Sequence, residues 1–180
     1  MALTDMSVEN FKGRLVGGGA RNNLFKVILT LDGIDSDLFS FMCKGASLPG
    51  SQVEAIAVPF RGRDIYVAGD RTFEQHWTVT VINDVIGSVR ASLEKWMHDK
   101  LNKHEQNVSN QQPATYKAVD ARVIQLRKDG SEISEMTYIF KGIFPTAIGA
   151  IDLEFSSAGT VEEFTVDFAY DYWTSSVTSA

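Results

Sequence analysis

Length, charge and cysteine content already narrow the classes of protein to which this chain can belong. Its 180 residues predict one domain, with a core large enough to fold without metal or disulfide staples. Since 17 basic residues face 23 acidic ones, the formal net charge is −6, which argues against a protein that grips nucleic-acid phosphates on a basic face. The single cysteine excludes an intramolecular disulfide framework. No apolar run approaches the roughly 20 residues of a membrane-spanning helix, so we expect a soluble chain made in a cytoplasm.

The first 22 residues are interpreted as an N-terminal arm. They contain Gly17-Gly18-Gly19 and show no sustained hydrophobic periodicity. A phosphate-cradling loop would need a Gly-Lys-Ser/Thr to follow, and the sequence lacks it. A flexible arm that becomes ordered against a partner is the better interpretation.

Apolar and polar residues alternate over 25–31, which predicts the first strand. Asp32-Gly33 is typical of a tight turn, so 38–44 is predicted to return as the second strand of a hairpin. The next segment, 45–71, is punctuated by Gly and Pro and is predicted to be a long loop with only short extended pieces. It carries a group of five charges, Arg61, Arg63, Asp64, Asp70 and Arg71. This group is either part of a solvated loop or a docking element for another subunit.

The clearest strand spans 73–82, where apolar and polar residues alternate and Thr and Val are frequent. The residues that follow are apolar at every third or fourth position, which predicts a helix over 84–103. Asn83 or Asp84 would cap its start. We predict this to be the one α-helix of the chain.

The second half of the chain again predicts strands. Asp129-Gly130 is a strong turn signal between 116–128 and 132–144, which predicts a second hairpin. A short strand is predicted at 151–155 and a long last strand, with an aromatic inner face, at 163–172. The sum is seven or eight strands and one helix. The predicted fold is mainly β, with two packed antiparallel sheets arranged as a sandwich or partly closed barrel.

Residues able to carry catalysis or bind metal are few and poorly spaced. The chain has three histidines, His76, His98 and His104. They form no His-x-x-x-His pair, and Cys43 has no second cysteine with which to bind metal. Glu162 and Glu163 are adjacent, but neighbouring strand residues point to opposite faces. We therefore predict no enzyme activity, no metal site and no cofactor.

The last 30 residues are strongly acidic. Residues 151–180 contain no Lys or Arg and six acids, Asp152, Glu154, Glu162, Glu163, Asp167 and Asp171. One interpretation is a solvated strand face. The other is a surface that repels something negatively charged.

Six segments together resemble a known family. They are Asn23-Leu24-Phe25, Cys43-Lys44-Gly45-Ala46-Ser47-Leu48-Pro49, Ala68-Gly69-Asp70-Arg71-Thr72-Phe73, Trp77-Thr78-Val79-Thr80-Val81-Ile82-Asn83-Asp84, Gly142-Ile143-Phe144-Pro145-Thr146 and Asp171-Tyr172-Trp173. Their order and spacing resemble the tail tube proteins of contractile-tailed, T4-like bacteriophages, over essentially the whole chain. The block 68–73 followed by the strand 77–81 is the most specific part.

This resemblance implies a structural virion protein that is assembled in the bacterial host cytoplasm. Subunits of such a family form hexameric rings, whose inner sheets join into one barrel around a channel. The rings stack into a tube inside a contractile sheath, between a baseplate and a tail terminator. Genomic DNA passes through the channel on ejection without specific binding, and the chain inserts into no membrane.

The resemblance also implies a use for particular segments. We expect an arm at 1–22, a tube domain at 23–173 and a C-terminal tail at 174–180. The loop 45–71, with the five charges named above, is the candidate contact between subunits. The channel-facing candidates are Glu163, Asp167 and Asp171, because a wall without basic groups would let DNA slide. The first turn, 33–37, and the tail after Trp173 are longer than is usual in the family, which affects the expected contacts at the rim of the ring.

Two alternatives remain open from the sequence. Within the same class, the chain would be the tube protein of a related contractile injection or type VI-like system, or a tube initiator or terminator. In another class, it would be a soluble β-sandwich binding module that recognises sugars with Trp77, Trp96 or Trp173. Core packing is the competing interpretation for each of these tryptophans.

Overall fold

The computed structural model describes residues 7–30, 35–74, 76–103, 116–118, 120–156 and 159–178. The predicted turn Asp32-Gly33 and the histidine His104 lie outside the described residues. Within these ranges the helices are α1 (Val8–Arg14), α2 (Ser36–Met42) and α3 (Ser88–Trp96). The strands are β1 (Phe25–Thr30), β2 (Cys43–Ala46), β3 (Ser51–Phe60), β4 (Arg63–Phe73), β5 (His76–Ile82), β6 (Asp120–Leu126), β7 (Glu132–Lys141), β8 (Phe144–Ile148), β9 (Glu163–Ala169) and β10 (Tyr172–Ser175).

The strands form three antiparallel sheets. Sheet 1 has the order β1-β6-β7-β10, sheet 2 has the order β2-β5-β9-β8, and β3 pairs only with β4. All pairings are antiparallel. The predicted fold class, mainly β with antiparallel sheets, is confirmed. The prediction of a single helix is wrong, since the described residues contain three.

Sheets 1 and 2 pack face to face over a shared aromatic core. The ring of Trp77 in β5 lies 4.4 Å from that of Phe140 in β7 and 5.8 Å from that of Phe168 in β9, centroid to centroid. Inward residues of each strand alternate with outward ones, as the period of two predicts. Helix α3 adds Leu93 and Trp96 to the same core. The sandwich therefore buries its own apolar surface without help from another molecule.

The second predicted hairpin is confirmed. Strands β6 and β7 pair around the turn at Asp129 and Gly130. Asp129 Oδ1 accepts hydrogen bonds from the backbone N–H of Ser131 at 2.9 Å and from its hydroxyl at 2.6 Å, and these bonds lower the pKa of the Asp129 carboxyl. Gly130 takes a positive φ of 82°, which glycine tolerates without strain.

The first predicted hairpin is wrong. Residues 36–42 form α2, since the carboxylate of Asp35 accepts hydrogen bonds from the N–H groups of Asp37 and Leu38 at 3.0 and 3.2 Å. The helix then buries Phe39 in the core. Only β2 remains of the predicted returning strand, and it pairs with β5, whereas β1 pairs with β6.

The segment 45–71 is not a long loop. It is mostly the paired strands β3 and β4, joined by a two-residue turn in which Arg61 and Gly62 have φ values of 48° and 80°. Two positive φ values in succession are the mark of a type I′ turn, whose twist suits a hairpin. Pro59 is tolerated because β3 has a partner on one side only. Glycine and proline here accompany a hairpin turn and an edge strand instead of breaking the strands.

The last strand, predicted as one long element over 163–172, is two separate strands in the structure. β9 ends at Ala169 in sheet 2, and β10 begins at Tyr172 in sheet 1, so the chain crosses between the sheets at Tyr170 and Asp171. β10 extends to Ser175, which is buried, so the predicted loose tail begins inside a strand. The predicted strand at 151–155 is absent, and β8 supplies the fourth strand of sheet 2 instead. The described strands number ten, more than predicted.

The helical segments at 8–14 and 88–101 also differ from the predictions. Within the predicted arm, Val8–Arg14 forms α1, with the Ser7 hydroxyl accepting from Asn10 N–H at 3.3 Å. The predicted helix over 84–103 begins as α3 only at Ser88 and continues from Met97 to Leu101 as a π-helical turn. Asp84 nevertheless holds its start by accepting hydrogen bonds from the Ser88 N–H and hydroxyl at 2.8 and 2.7 Å. The pKa of the Asp84 carboxyl is lowered, chiefly by the Ser88 hydroxyl.

Phe168→Ala should destabilise the subunit by about 3–5 kcal/mol, because it leaves a cavity beside Trp77 in the shared core. Urea unfolding of the unassembled subunit, followed by tryptophan fluorescence, measures the loss. Phe155→Ala is the matched control, since Phe155 is fully exposed. Equal stability of the two variants would contradict this description of the core.

Candidate functional site

The hairpin of β3 and β4 projects from the sandwich. Its strands contain 10 and 11 residues, so the hairpin is about 33 Å long. Every residue of β3 is exposed, and in β4 only Gly69 and Phe73 are partly covered. A two-stranded hairpin is at best marginally stable by itself in water. Its length and exposure indicate a surface made for contact with another molecule.

One face of the hairpin is apolar. Register pairs Ile56 with Val67 and Val58 with Ile65, and directly paired residues point to the same face. All four side chains are about half exposed, at 46–52%. The tip adds Phe60 to this face, 53% exposed. A continuous exposed apolar face on a two-stranded sheet is typical of a protein–protein interface.

The root of the hairpin is held firmly between the two sheets. Trp173 of β10 donates its indole N–H to the Gly50 carbonyl at 3.0 Å, and its ring meets that of Phe73 edge-on at 6.1 Å. A bulge near the root leaves Gly69 so close to Ile56 that a Cβ there would lie 3.0 Å from the Ile56 Cγ1 atom. The direction in which the hairpin leaves the sandwich is therefore set by packing at its base.

The structure divides the five charges that the sequence placed in one group. Arg61, Arg63 and Asp64 lie at the tip, whereas Asp70 and Arg71 lie near the root. Arg63 and Asp70 lie seven positions apart in β4, which is roughly 23 Å. The Arg61 guanidinium lies over the Phe60 ring, 5.3 Å from its centroid. All five residues are exposed, so they are available to a partner at two separate places.

The outward face of sheet 2, which we call the polar face, is lined by hydroxyls and few charges. Its residues are Lys44, His76, Thr78, Thr80, Glu163, Thr165 and Asp167. Glu163 accepts from the Lys44 ammonium at 2.5 Å, and Asp167 accepts from the Thr78 hydroxyl at 2.5 Å. The Lys44 ammonium is therefore neutralised, and the Asp167 carboxylate leaves the face slightly negative.

Only two of the three channel-facing candidates share the polar face. Glu163 and Asp167 lie on it, four residues apart in β9. Asp171 lies beyond the end of β9, where the chain crosses between the sheets, and forms an ion pair with Lys117 at 2.6 Å. The sequence placed all three on one face because it treated β9 and β10 as a single strand.

A cleft of about 590 Å³ opens beside the hairpin root. Its lining includes Phe73, His76, Phe144 and Tyr170. The Tyr170 side chain is buried and its hydroxyl has no hydrogen-bond partner among the described residues. Burial, and secondarily the charge of Glu74, raises the pKa of Tyr170. The lining also includes Asp171, whose carboxylate forms an ion pair with Lys117 at 2.6 Å.

The tryptophans serve the structure of the sandwich. Trp77 and Trp96 are both 2% exposed and donate their indole N–H groups to the carbonyls of Ser47 and Tyr116, each at 2.8 Å. Trp173 holds the hairpin root. The core-packing interpretation is therefore correct for Trp77 and Trp96, and the sugar-binding alternative loses both of these stacking platforms.

Three further features bear on function, namely metal binding, membrane-spanning helices and the thiol of Cys43. Among the described residues, no group of three or more His, Cys, Asp or Glu side chains lies close enough together to hold a metal ion. No helix within the described ranges is long and apolar enough to cross a membrane. Cys43 is buried, and burial raises the pKa of its thiol to about 12.

Comparison with known proteins points to one family. Residues 18–176 match the family described as phage tail tube protein. The chain is 38% identical over 157 residues to the tail tube protein gp19 of Enterobacteria phage T4, which covers 87% of this chain and 92% of that protein. It is also 27% identical over 171 residues to the tail tube protein of Serratia phage KSP90, across 91% and 94% of the two chains.

Two solved structures share the fold. A chain in the cryo-EM structure of the anti-feeding prophage baseplate, 6-fold symmetrised, superimposes with a TM-score of 0.62 at 11% identity, covering 87% of this chain and 94% of that one. A chain in the extended sheath–tube complex of PVC, an extracellular contractile injection system, gives a TM-score of 0.59 at 14% identity, covering 95% and 99%. At these identities the likeness concerns the fold alone.

Iodoacetamide at pH 8 should alkylate Cys43 about a thousandfold more slowly in the folded subunit than in urea, because burial raises its pKa from 9.0 to about 12 and thiolate is the reactive form. Mass spectrometry of timed samples gives the two rates. Rapid labelling of the folded subunit would contradict the prediction and would show that the Cys43 thiol is accessible and reactive.

Proposed function

This chain belongs to the phage tail tube protein family, and we propose that its copies close into six-membered rings that stack into the tube of a contractile tail. The family is a structural one, and its members are components of the virion. The fold is shared with a chain of a six-fold symmetrised baseplate, which supports six as the number of copies in a ring. The observation that carries the proposal is the exposed hairpin with its unpartnered apolar face.

The hairpin is the proposed contact between subunits. Its half-exposed apolar pairs, Ile56–Val67 and Val58–Ile65, would be covered by a neighbouring copy. An interface of stable assemblies buries at least about 1,000 Å² in total, and a hairpin about 33 Å long offers an area of that order. Asp70 and Arg71 near the root and the charges at the tip would orient the contact.

Sheet edges supply the proposed contact within a ring. Sheet 2 ends at β2 on one side and β8 on the other, and neither has a second partner strand in the described chain. Pairing β8 of one copy with β2 of the next would remove both edges and close the sheets into a barrel. Such a head-to-tail contact is heterologous, and rotation closes it.

The polar face of sheet 2 is the proposed lining of the channel. It would present threonine hydroxyls, the Lys44–Glu163 ion pair and the Asp167 carboxylate to DNA. Each unneutralised basic group could hold a phosphate, and such contacts slow sliding at low salt. A neutral to weakly negative wall therefore suits transit of DNA without binding.

The partners of the tube follow from the relatives. Solved chains of the same fold occur in a baseplate, a sheath–tube complex and a tube-terminating cap, so we propose that this tube contacts a sheath, a baseplate and a terminator. Assembly would take place in the host cytoplasm. A related injection system is the second candidate, since the PVC structure is one of an extracellular contractile injection system, but the similarity at 38% identity is to a phage protein.

Purified protein should form tubes or rings in negative-stain electron microscopy, and Asp70→Lys with Arg71→Glu should abolish tubes while the subunit stays folded. The reversal places wrong charges at the hairpin root, and like charges across an interface cost several kcal/mol. Lys95→Glu with Glu135→Lys, a reversal at two exposed residues outside the hairpin, is the matched control and should assemble normally. A wild-type protein that remains a monomer at high concentration would refute the proposed function.

Asp167→Lys should slow DNA release several-fold while tails still assemble, because it places a phosphate-binding group on the proposed lining. The effect should shrink as salt is raised. Triggered ejection in vitro, followed by a DNA-binding dye at two salt concentrations, measures it. Glu135→Lys is the control, since Glu135 is exposed in β7 of sheet 1, off the polar face. Equal rates for wild type and Asp167→Lys would show that this face does not line the channel.

A further inference from the structure

We propose that a pocket between the N-terminal arm and the β6–β7 turn binds a phosphate group of a small molecule. The pocket, which we call the arm pocket, has a volume of about 400 Å³. It lies at the end of sheet 1 where β1 begins and β6 ends, in the other layer from the polar face of sheet 2. All of its residues belong to one copy of the chain, so the site is independent of the proposed tube.

A buried side chain fixes the backbone on the arm side of the pocket. The Gln125 side chain in β6, 8% exposed, donates from its amide to the carbonyls of Arg21 and Leu24 at 2.6 and 3.0 Å. The Leu24 N–H also donates to the Arg21 carbonyl, at 3.1 Å, so residues 21–24 form a turn. The wall of the pocket that carries Arg21 is therefore held in place by a strand of the sandwich.

The β6–β7 turn supplies the opposite wall. The Arg127 N–H donates to the Ser131 carbonyl at 2.8 Å, which closes the turn. The Lys128 ammonium lies against the arm, since a Cβ atom on Gly18 would be 3.4 Å from the Lys128 Nζ atom. The glycines at 17–19 have φ values of 71°, 83° and 77°, which other residues rarely adopt. The glycine run thus allows the arm to pass close to a lysine.

Positive charge is in excess in the arm pocket. Three cationic side chains line it, those of Arg21, Arg127 and Lys128, against the single carboxylate of Asp129. None of the three cations forms an ion pair among the described residues. The Asp129 Oδ1 atom already accepts two hydrogen bonds from Ser131. Two positive charges are therefore left in excess, in a chain whose net charge is −6.

A phosphate group matches this excess of charge. A phosphate monoester carries about −1.5 to −2 at pH 7 on one group, whereas a carboxylate carries only one charge. Arginine binds phosphate through parallel N–H groups, and lysine binds it as a point charge. The Arg127 guanidinium donates to described residues only through Nη1, to the Ser131 hydroxyl and the Glu132 carbonyl. Its Nε and Nη2 groups are therefore available to a phosphate.

The rest of the lining is mainly apolar. Leu24, Leu126 and Ile133, all partly buried, line the pocket beside the cations. Sites for small molecules typically combine an apolar lining with a few polar groups, in volumes of about 300–1,000 Å³. An apolar wall also lowers the local dielectric constant, which strengthens a charge-assisted hydrogen bond. Inorganic phosphates and nucleotides share the recognised group, and a nucleotide would in addition cover the apolar lining.

Calorimetric titration of the purified full-length protein tests the site. Pyrophosphate and ATP, each added at constant ionic strength, should bind saturably at one site per chain. Arg127→Ala with Lys128→Ala should weaken binding at least about tenfold, because it removes two of the three cations. Lys95→Ala with Lys141→Ala removes the same charge at two exposed residues outside the pocket, so it is the matched control and should bind as wild type does.

The two probes distinguish the sources of the phosphate. Equal affinities would identify the phosphate group as the whole recognised ligand, and tighter binding of ATP would show that the nucleoside contacts the apolar lining. Absence of saturable binding to the wild type would overturn the site, and so would an equal loss of affinity in both variants while circular dichroism shows them folded. None of these results bears on whether the protein forms tubes.

Limited proteolysis provides a second test that requires no substitution. A phosphate held by Arg21 and by the β6–β7 turn would bridge the arm to the sandwich, so pyrophosphate should slow tryptic cleavage after Arg21 at least about fivefold. Cleavage after Arg63, exposed at the hairpin tip, is the internal control and should keep its rate. Mass spectrometry of timed samples gives both rates. Unchanged cleavage after Arg21, or equal slowing at both residues, would contradict the bridge.

Discussion

A two-stranded sheet cannot cover its own apolar face, and this constraint distinguishes the hairpin of β3 and β4 from the rest of the subunit. In the sandwich, each four-stranded sheet buries its inner face against the other, so Trp77, Phe140 and Phe168 are withdrawn from water. The hairpin has no such second layer, and Ile56, Val58 and their partners across the turn stay about half exposed. The subunit is therefore complete in its core and incomplete in its hairpin. In the proposed assembly, a neighbouring copy would supply the missing layer.

The ion pair on the surface of the sandwich affects the charge of the polar face more than it affects the stability of the fold. The exposed Lys44–Glu163 pair contributes little to folding, since surface ion pairs are worth about 0–1 kcal/mol. Its effect on the charge of the polar face is larger, because Glu163 neutralises the Lys44 ammonium there. The acidic surplus of the chain is concentrated elsewhere, at the end of sheet 2 opposite the hairpin. The net charge of the polar face is therefore low, which suits its proposed use as the lining of a channel for DNA.

Elements with a strong local signal were predicted well. Alternation identified β5, and the Asp-Gly turn identified the β6–β7 hairpin, because side-chain period and turn chemistry are local properties. The prediction of a strand at 38–44 was wrong because the cap at Asp35 favours a helix that also buries Phe39. The hairpin of β3 and β4 was missed because its glycines and proline resemble those of a loop. A two-residue turn in which Arg occupies the left-handed region gives no recognisable sequence signal.

The residue pattern alone established a mainly β chain, the absence of metal-binding spacing, the acidic C-terminal region and the resemblance to tail tube proteins. Only the tertiary structure decided which of the charged residues of the hairpin and of the acidic C-terminal region lie close together. It separated Arg61 and Arg63 from Asp70 and Arg71 along the hairpin, and it divided β9 from β10, so that Asp171 left the face shared by Glu163 and Asp167. Strand pairing joins residues that are far apart in the chain, and the choice of partner depends on which edges and faces the whole core leaves available. No local pattern contains that information.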